Sequence, residues 1–148
     1  MKNQSKILAL KYRPSNFKDL IGQEHLVDTI QKSIELNKIP NAYIFTGIRG
    51  VGKTTTARIV AKMLNCTVFD NNKNPDFDNC EQAKAITEDR HPDVIEIDAA
   101  SNTSVENARD IIENVKYNPV LGKYKVYIVD EVHMLSKRAF NALLKTLE

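Results

Sequence analysis

The chain has 148 residues, 42% of them hydrophobic and 27% charged, with a formal net charge of +2 at pH 7. Such a composition suits one globular domain with a real core, or part of a larger one, and the charge is too mild to act as a nucleic-acid footprint. No apolar run approaches the roughly 20 residues of a membrane helix. The opening MKNQSKILALKYRPSNF carries an apolar run only from Ile7 to Leu10, well short of the about 7–15 residues of a secretory leader. A cytoplasmic chain is expected, with Cys66 and Cys80 as reduced thiols unless they hold a metal.

A basic, proline-containing lead-in, Tyr12-Arg13-Pro14, precedes a predicted helix from about Gln23 to Leu36, where Leu26, Ile30 and Ile34 recur at helical spacing. Ala42-Tyr43-Ile44-Phe45-Thr46 reads as a buried strand. A helix is predicted from Lys53 to Asn65, with Ala57, Val60, Ala61 and Leu64 on one face. From Thr67 to Asn79 the chain is rich in Asn, Asp, Lys and Pro without periodicity, which predicts a loop. Val94–Asp98 and Lys125–Asp130 read as further strands. Helices are expected over Ser104–Lys116 and Lys137–Glu148. Strands alternating with helices predict an α/β fold with a parallel sheet.

The densest chemical signal is GIRGVGKTT, Gly47 to Thr55, which fits G-x-x-x-x-G-K-[ST] between a predicted strand and a predicted helix. With Gly at about 7% of residues, this pattern arises by chance in fewer than about one chain of this length per hundred. Its glycines (Gly47, Gly50 and Gly52, with Val51 between) let backbone N–H groups curl around phosphate oxygens. Lys53 reaches the β- and γ-phosphates, the Thr54 hydroxyl ligates Mg²⁺, and Thr55 lies in the first helical turn, whose positive end faces the anion. The second element is Val126-Tyr127-Ile128-Val129-Asp130-Glu131, an apolar strand ending in two carboxylates. Asp130 is the candidate for the Mg²⁺ shell, and Glu131 for polarising the attacking water. Glu directly after Asp is not a defining feature of kinases or GTP switches, so ATP hydrolysis leads. Asp130-Glu131-Val132-His133 also spells D-E-x-H, which keeps a helicase-type ATPase as an alternative.

Four blocks extend the pattern: KYRPSNFKDLIGQEHLV, AYIFTGIRGVGKTTTARIVAKMLNC, IEIDAASNTSVENARDII and YKVYIVDEVHMLSKRAFNALLKTLE. In this order they resemble the start of bacterial DNA polymerase III gamma/tau subunits, the AAA+ ATPase motors of the sliding-clamp loader. Branch-migration ATPases share the R-P-x-x-F…G-Q lead-in but not the later blocks as a set.

The resemblance implies a P-loop NTPase (AAA+) fold, a parallel sheet sandwiched by helices, with a lead-in (1–22), a core (23–148) and an atypical cysteine region (66–91). It implies ATP and Mg²⁺ as cofactors, and adenine wrapped by Tyr12, Arg13, Pro14, Leu20 and Ile21. The partners it implies are other clamp-loader subunits, the sliding clamp, primer–template DNA and the polymerase core. The activity it implies is clamp loading driven by ATP as part of the DNA-directed DNA polymerase III holoenzyme. Relatives carry DNA-facing basic residues near Ser101–Ser104. Here a helix N-cap by Ser101 or Thr103, with Glu106, is the preferred reading over a phosphate contact.

Relatives also carry a four-cysteine zinc module. Cys66 and Cys80 match its outer pair, Phe77 and Asp78 stand in the region of the inner two, and structural zinc wants four ligands. No zinc is therefore expected, and one equivalent found by elemental analysis would overturn this. His25, His91 and His133 read as surface or helix-end histidines, with His133 close to Glu131. The family's module continues past KTLE into two more strands, a helical lid and an arginine finger. The resemblance thus implies a sheet incomplete at the C-terminal side, an empty slot between 42–46 and Lys125–Asp130, and slow turnover by these residues alone.

Overall fold

The structure, a computed structural model, describes residues 24–48, 50–101 and 105–147. Its elements follow in the order α1 (Glu24–Glu35), α2 (Lys53–Asn65), α3 (Glu81–Thr87), β1 (Val94–Asp98), α4 (Val105–Val115), β2 (Val126–Asp130) and α5 (Lys137–Leu147). A 3₁₀ turn, Val132–Met134, joins β2 to α5. Among the described residues no helix is long and apolar enough to cross a membrane.

β1 and β2 pair in parallel, with Val94 opposite Val126 and Asp98 opposite Asp130. A parallel pair cannot be closed by a tight hairpin, so the chain crosses over through α4 before it returns. The register brings the two strand-terminal aspartates to the same end of the sheet. Helix α2 packs on β2 and on α3, and α4 packs on α5.

The main apolar cluster is Ile30 of α1 with Val60 and Met63 of α2, surrounded by Leu26, Ile34, Tyr43, Phe45, Leu64 and Phe77. Each such aliphatic side chain contributes about 1.5–3 kcal/mol when taken fully from water. This is why α1, polar on its other face, is held against α2.

The expected strand over Ala42–Thr46 is not one: it has no ladder partner among the described residues, whose sheet has two strands, β1 and β2. The alternation that suggested a strand is nevertheless present. Tyr43 and Phe45 turn inward onto the α1–α2 cluster, while Ile44 is 78% exposed. The two rings stack with centroids 6.4 Å apart, and the Tyr43 hydroxyl lies 3.2 Å from Ser33 Oγ. Side-chain docking sets the period of two here; a ladder needs a neighbouring backbone as well.

Helix α3 has no counterpart in the sequence reading. It is seven residues long, too short to display a helical repeat, and it forms where Ala83 and Ile86 are buried. The loop before it is built from side chains. Asp70 accepts the N–H groups of Asn72 and Asn74, Asp76 accepts from Asn79, and Phe69 and Pro75 form an isolated bridge.

The expected cap of α4 by Ser101 is also corrected. Its hydroxyl donates to Asp98 Oδ2 at 3.0 Å, and Asp98 Oδ1 accepts the Ala100 N–H, so Ser101 belongs to a turn at the end of β1. Thr103 lies outside the described residues.

Candidate phosphate-loop site

Helix α2 begins with a backbone geometry that a side chain would resist. Gly52, its N-cap, has φ 90° and ψ 21°, in the left-handed region that costs an L-residue about 1–2 kcal/mol. Having no side chain, Gly52 leaves the first N–H groups of α2 without a side-chain cap. The following residues hold the turn: Thr56 donates to the Gly52 carbonyl through both N–H and hydroxyl, each at 2.8 Å. An uncapped helix start next to a cationic side chain is a natural anion site.

That cation is Lys53. Its ammonium donates to the carbonyls of Gly47 at 2.8 Å and Ile48 at 2.9 Å, folding back over the loop it follows. These are neutral acceptors, and a phosphate oxygen would compete for the same donors with full charge. Gly50 is exposed and Val51 is 39% exposed, whereas the Thr55 side chain is buried beneath the first helical turn. Thr55 therefore has only its backbone to offer an anion. A cleft of about 210 Å³ opens beside the loop, lined by Leu26, Phe45, Val51, Lys53 and Thr56 among others. This is smaller than the roughly 300–1,000 Å³ that encloses a whole ligand.

The loop and β2 meet through one bond. Thr54 Oγ1 donates to Asp130 Oδ2 at 3.0 Å, across 76 positions of sequence. The other carboxylate oxygen of Asp130 accepts the Glu131 N–H at 3.0 Å. Packing of α2 on β2 brings the hydroxyl and the carboxylate together. With its proton committed to Asp130, Thr54 keeps oxygen lone pairs free, and a hydroxyl beside a carboxylate is oxygen chemistry suited to a hard divalent cation.

Glu131 leaves the strand in a left-handed conformation, φ 52° and ψ 42°. Its carbonyl accepts the Met134 N–H at 2.8 Å, which forms the 3₁₀ turn. The turn carries His133 back so that its Nε2 lies 3.4 Å from Glu131 Oε2, both side chains being largely open to solvent. Tyr12, Arg13, Pro14, Leu20 and Ile21 lie outside the described residues.

The cysteines meet away from the loop. Cys66 closes the end of α2 and Cys80 begins α3, both buried and free, in a cluster with Ala83, Val68 and Phe77. Burial, and then a hydrogen bond with Cys80, push the Cys66 thiol up to about 12. Burial acts in the same direction on Cys80, but bonds from the Cys66 thiol and the N–H groups of Ala83, Thr67 and Gln82 hold it below the ordinary value.

The sequence reading of His91 as a surface or helix-end histidine is corrected: it follows the helix that ends at Thr87 and lies inside. His91 is buried, its Nδ1 accepts the Asp93 N–H at 3.1 Å, and its Nε2 bonds to the Gln82 side-chain carbonyl. Burial holds it below the usual imidazole range, so it stays neutral with its proton on Nε2.

A family model described as "DNA polymerase III, delta subunit" matches residues 22–148. Among curated proteins, the chain is 51% identical over 142 residues to DNA polymerase III subunit tau/gamma of Haemophilus influenzae, covering 96% of this chain and 20% of that protein. It is 51% identical to the tau subunit of Escherichia coli, over 96% of this chain and 22% of that one. Identity to the tau subunit of Bacillus subtilis is 50%, over 93% of this chain and 24% of that protein. The chain thus spans about a fifth to a quarter of the length of these relatives. The family description names the delta subunit, whereas the relatives, identical at about half of the matched residues, are tau and gamma subunits.

Proposed function

We propose that this chain, which belongs to the DNA polymerase III, delta subunit, family, is the ATP-binding part of a gamma/tau-type clamp-loader motor. The relatives named tau and gamma support the assignment. On this reading the fold is the P-loop (AAA+) type, and the partners are the other clamp-loader subunits, the sliding clamp, the polymerase core and primer–template DNA.

The observation that carries the reading is the 3.0 Å bond between Thr54 and Asp130. It joins the two sequence elements that an ATPase of this kind needs, although neither predicts the other locally. Backbone N–H groups from Gly47 to Gly52, with those of Lys53, Thr54 and Thr55, receive phosphate oxygens. Lys53 leaves the Gly47 and Ile48 carbonyls for the β- and γ-phosphates. Thr54 and Asp130 would hold Mg²⁺, which supplies charge neutralisation on the transferring phosphoryl group when bound. Glu131 accepts the proton of the attacking water. Zinc is not part of this scheme: Cys66 and Cys80 are free thiols, and Cys66 Sγ donates to the Val68 carbonyl at 3.2 Å.

The test is titration of ATP with Mg²⁺ followed by calorimetry. Lys53→Ala should weaken binding at least about tenfold, the equivalent of the roughly 1.5–3 kcal/mol of a charge-assisted bond. Asp130→Asn should reduce the Mg²⁺-dependent part of the affinity and leave the rest. Unchanged titration of both variants would remove the loop as the site. Stimulation of ATP turnover by clamp and primed DNA separates clamp loading from the unwinding that D-E-x-H suggests.

A further inference from the structure

We propose that His133 is a positioning residue for Glu131, fixing which carboxylate oxygen the proposed base presents. The inference rests on the reading of Glu131 as the group that accepts the proton of water.

Glu131 is held at its backbone from both sides. Its N–H donates to Asp130 Oδ1 at 3.0 Å, and its carbonyl accepts from Met134 at 2.8 Å. A second turn bond, from the Leu135 N–H to the Val132 carbonyl at 3.1 Å, completes the 3₁₀ segment. These bonds maintain a left-handed conformation at a residue other than glycine, φ 52°, which is uncommon and concentrates at functional turns.

With Cα and Cβ fixed, the remaining freedom of Glu131 is rotation of a half-exposed side chain. A carboxylate free to rotate samples many orientations, and few of them suit in-line attack. His133 is placed to restrict that rotation: its Nε2 stands 3.4 Å from Oε2. The contact exists because the 3₁₀ turn is tight. An extended continuation of β2 would put residues 131 and 133 on the same face but about 6.6 Å apart at Cα, beyond such a close approach of these side chains. That close approach is the positioning device, and the left-handed turn is what makes it possible.

Holding one oxygen of a base costs nothing in ground-state binding, so the effect belongs in turnover rather than affinity. The experiment is steady-state ATPase kinetics of the intact protein assembled with its clamp-loader partners. His133→Ala should lower kcat about tenfold, part of the roughly 10²–10⁴ that a positioned base supplies, with KM for ATP within about twofold. His133→Gln, whose amide N–H reaches the same place, should recover most of the loss. In a Glu131→Gln background, His133→Ala should have no further effect. Because His133 is exposed, its variants should melt with the parent, which separates this outcome from misfolding.

Unchanged kcat in His133→Ala, or equal losses in the Ala and Gln variants, would overturn the inference while leaving Glu131 as base. If Glu131→Gln itself turned over normally, the reading beneath would fall, and the inference with it.

Discussion

Tyr127 carries a phenol oxygen that is buried and has no hydrogen-bond partner among the described residues. Burial pushes its pKa up, as expected for a hydroxyl cut off from water. An unsatisfied buried polar group costs about 1–3 kcal/mol, so Tyr127→Phe should be neutral or stabilising by up to about 1 kcal/mol. The measurement is the urea midpoint with the slope unchanged. A loss of more than about 1 kcal/mol would show that the hydroxyl is satisfied. Nothing in VYIVD marks that oxygen, because its environment comes from distant elements. The candidates Lys53, Thr54, Asp130 and Glu131 stand out in the sequence for the opposite reason: the proposed phosphate chemistry would constrain local spacing, and local spacing is what a sequence displays. The left-handed turn at Glu131 and the approach of His133 depend on backbone bonds that no residue pattern records.

At the scale of elements, the segment before β2 is held by one carboxylate. Asp93, fully buried at the entry to β1, accepts the N–H of Val120 at 2.7 Å, of Leu121 at 2.7 Å and of Gly122 at 2.6 Å. Asn65, at the end of α2, accepts the Tyr124 N–H at 2.8 Å. Gly122 is required by space: an added Cβ would stand 2.5 Å from Asn65 Oδ1 and 3.2 Å from His91 Cε1. Burial by itself pushes the Asp93 carboxyl up, but the N–H groups of Gly122, Val120 and Leu121, with His91 nearby, hold it below the usual carboxylate range.

The linkage has a definite sign. Asp93 has a depressed folded pKa, so its stabilisation is complete above the unfolded value near ~3.9 and is lost as pH falls through the folded value. His91 is also depressed, so its contribution is complete above about 6.5 and declines below that as the unfolded chain takes up a proton first. Denaturation across pH should therefore show an early decline from His91 and a later one from Asp93. Asp93→Asn should cost about 2–4 kcal/mol at neutral pH and remove the later decline. A variant as stable as the parent would show that the N–H groups find other acceptors.

Strands β1 and β2 and helices α1, α2, α4 and α5 were legible within a residue or two from their apolar patterns, whereas the strand expected over 42–46 was not found. The cage around Asp93 was not, since its partners lie 27 to 29 positions away. Helix α3 was missed because it is fixed by the burial of Ala83 and Ile86 rather than by a repeat.

For the molecule as a whole, the layout predicts uneven protection. Residues 42–46 have the alternation of a strand and the stacked rings of Tyr43 and Phe45, yet no ladder partner among the described residues. The sequence shows the side-chain half of strand formation there, whereas the backbone half depends on what lies alongside. Helix α2 is different: Ile59, Val60, Ala61 and Met63 are buried, and it touches α1 residues, α3 and β2. Exchange of a paired, buried amide waits for opening on the scale of global unfolding, whereas an unpaired one exchanges through small fluctuations. Hydrogen exchange of the apo chain should therefore label 42–46 early and the amides of 57–63 late, by at least about a hundredfold in rate, or roughly 2.7 kcal/mol of opening free energy. Added ATP and Mg²⁺ should slow exchange over 50–56, where the phosphate loop would close on its ligand, and leave the cage around 120–122 unchanged. Early labelling of 57–63 would mean that α1, α2 and β2 do not unfold as one unit. Protection of 42–46 in the apo chain would mean that these residues do have a backbone partner in solution.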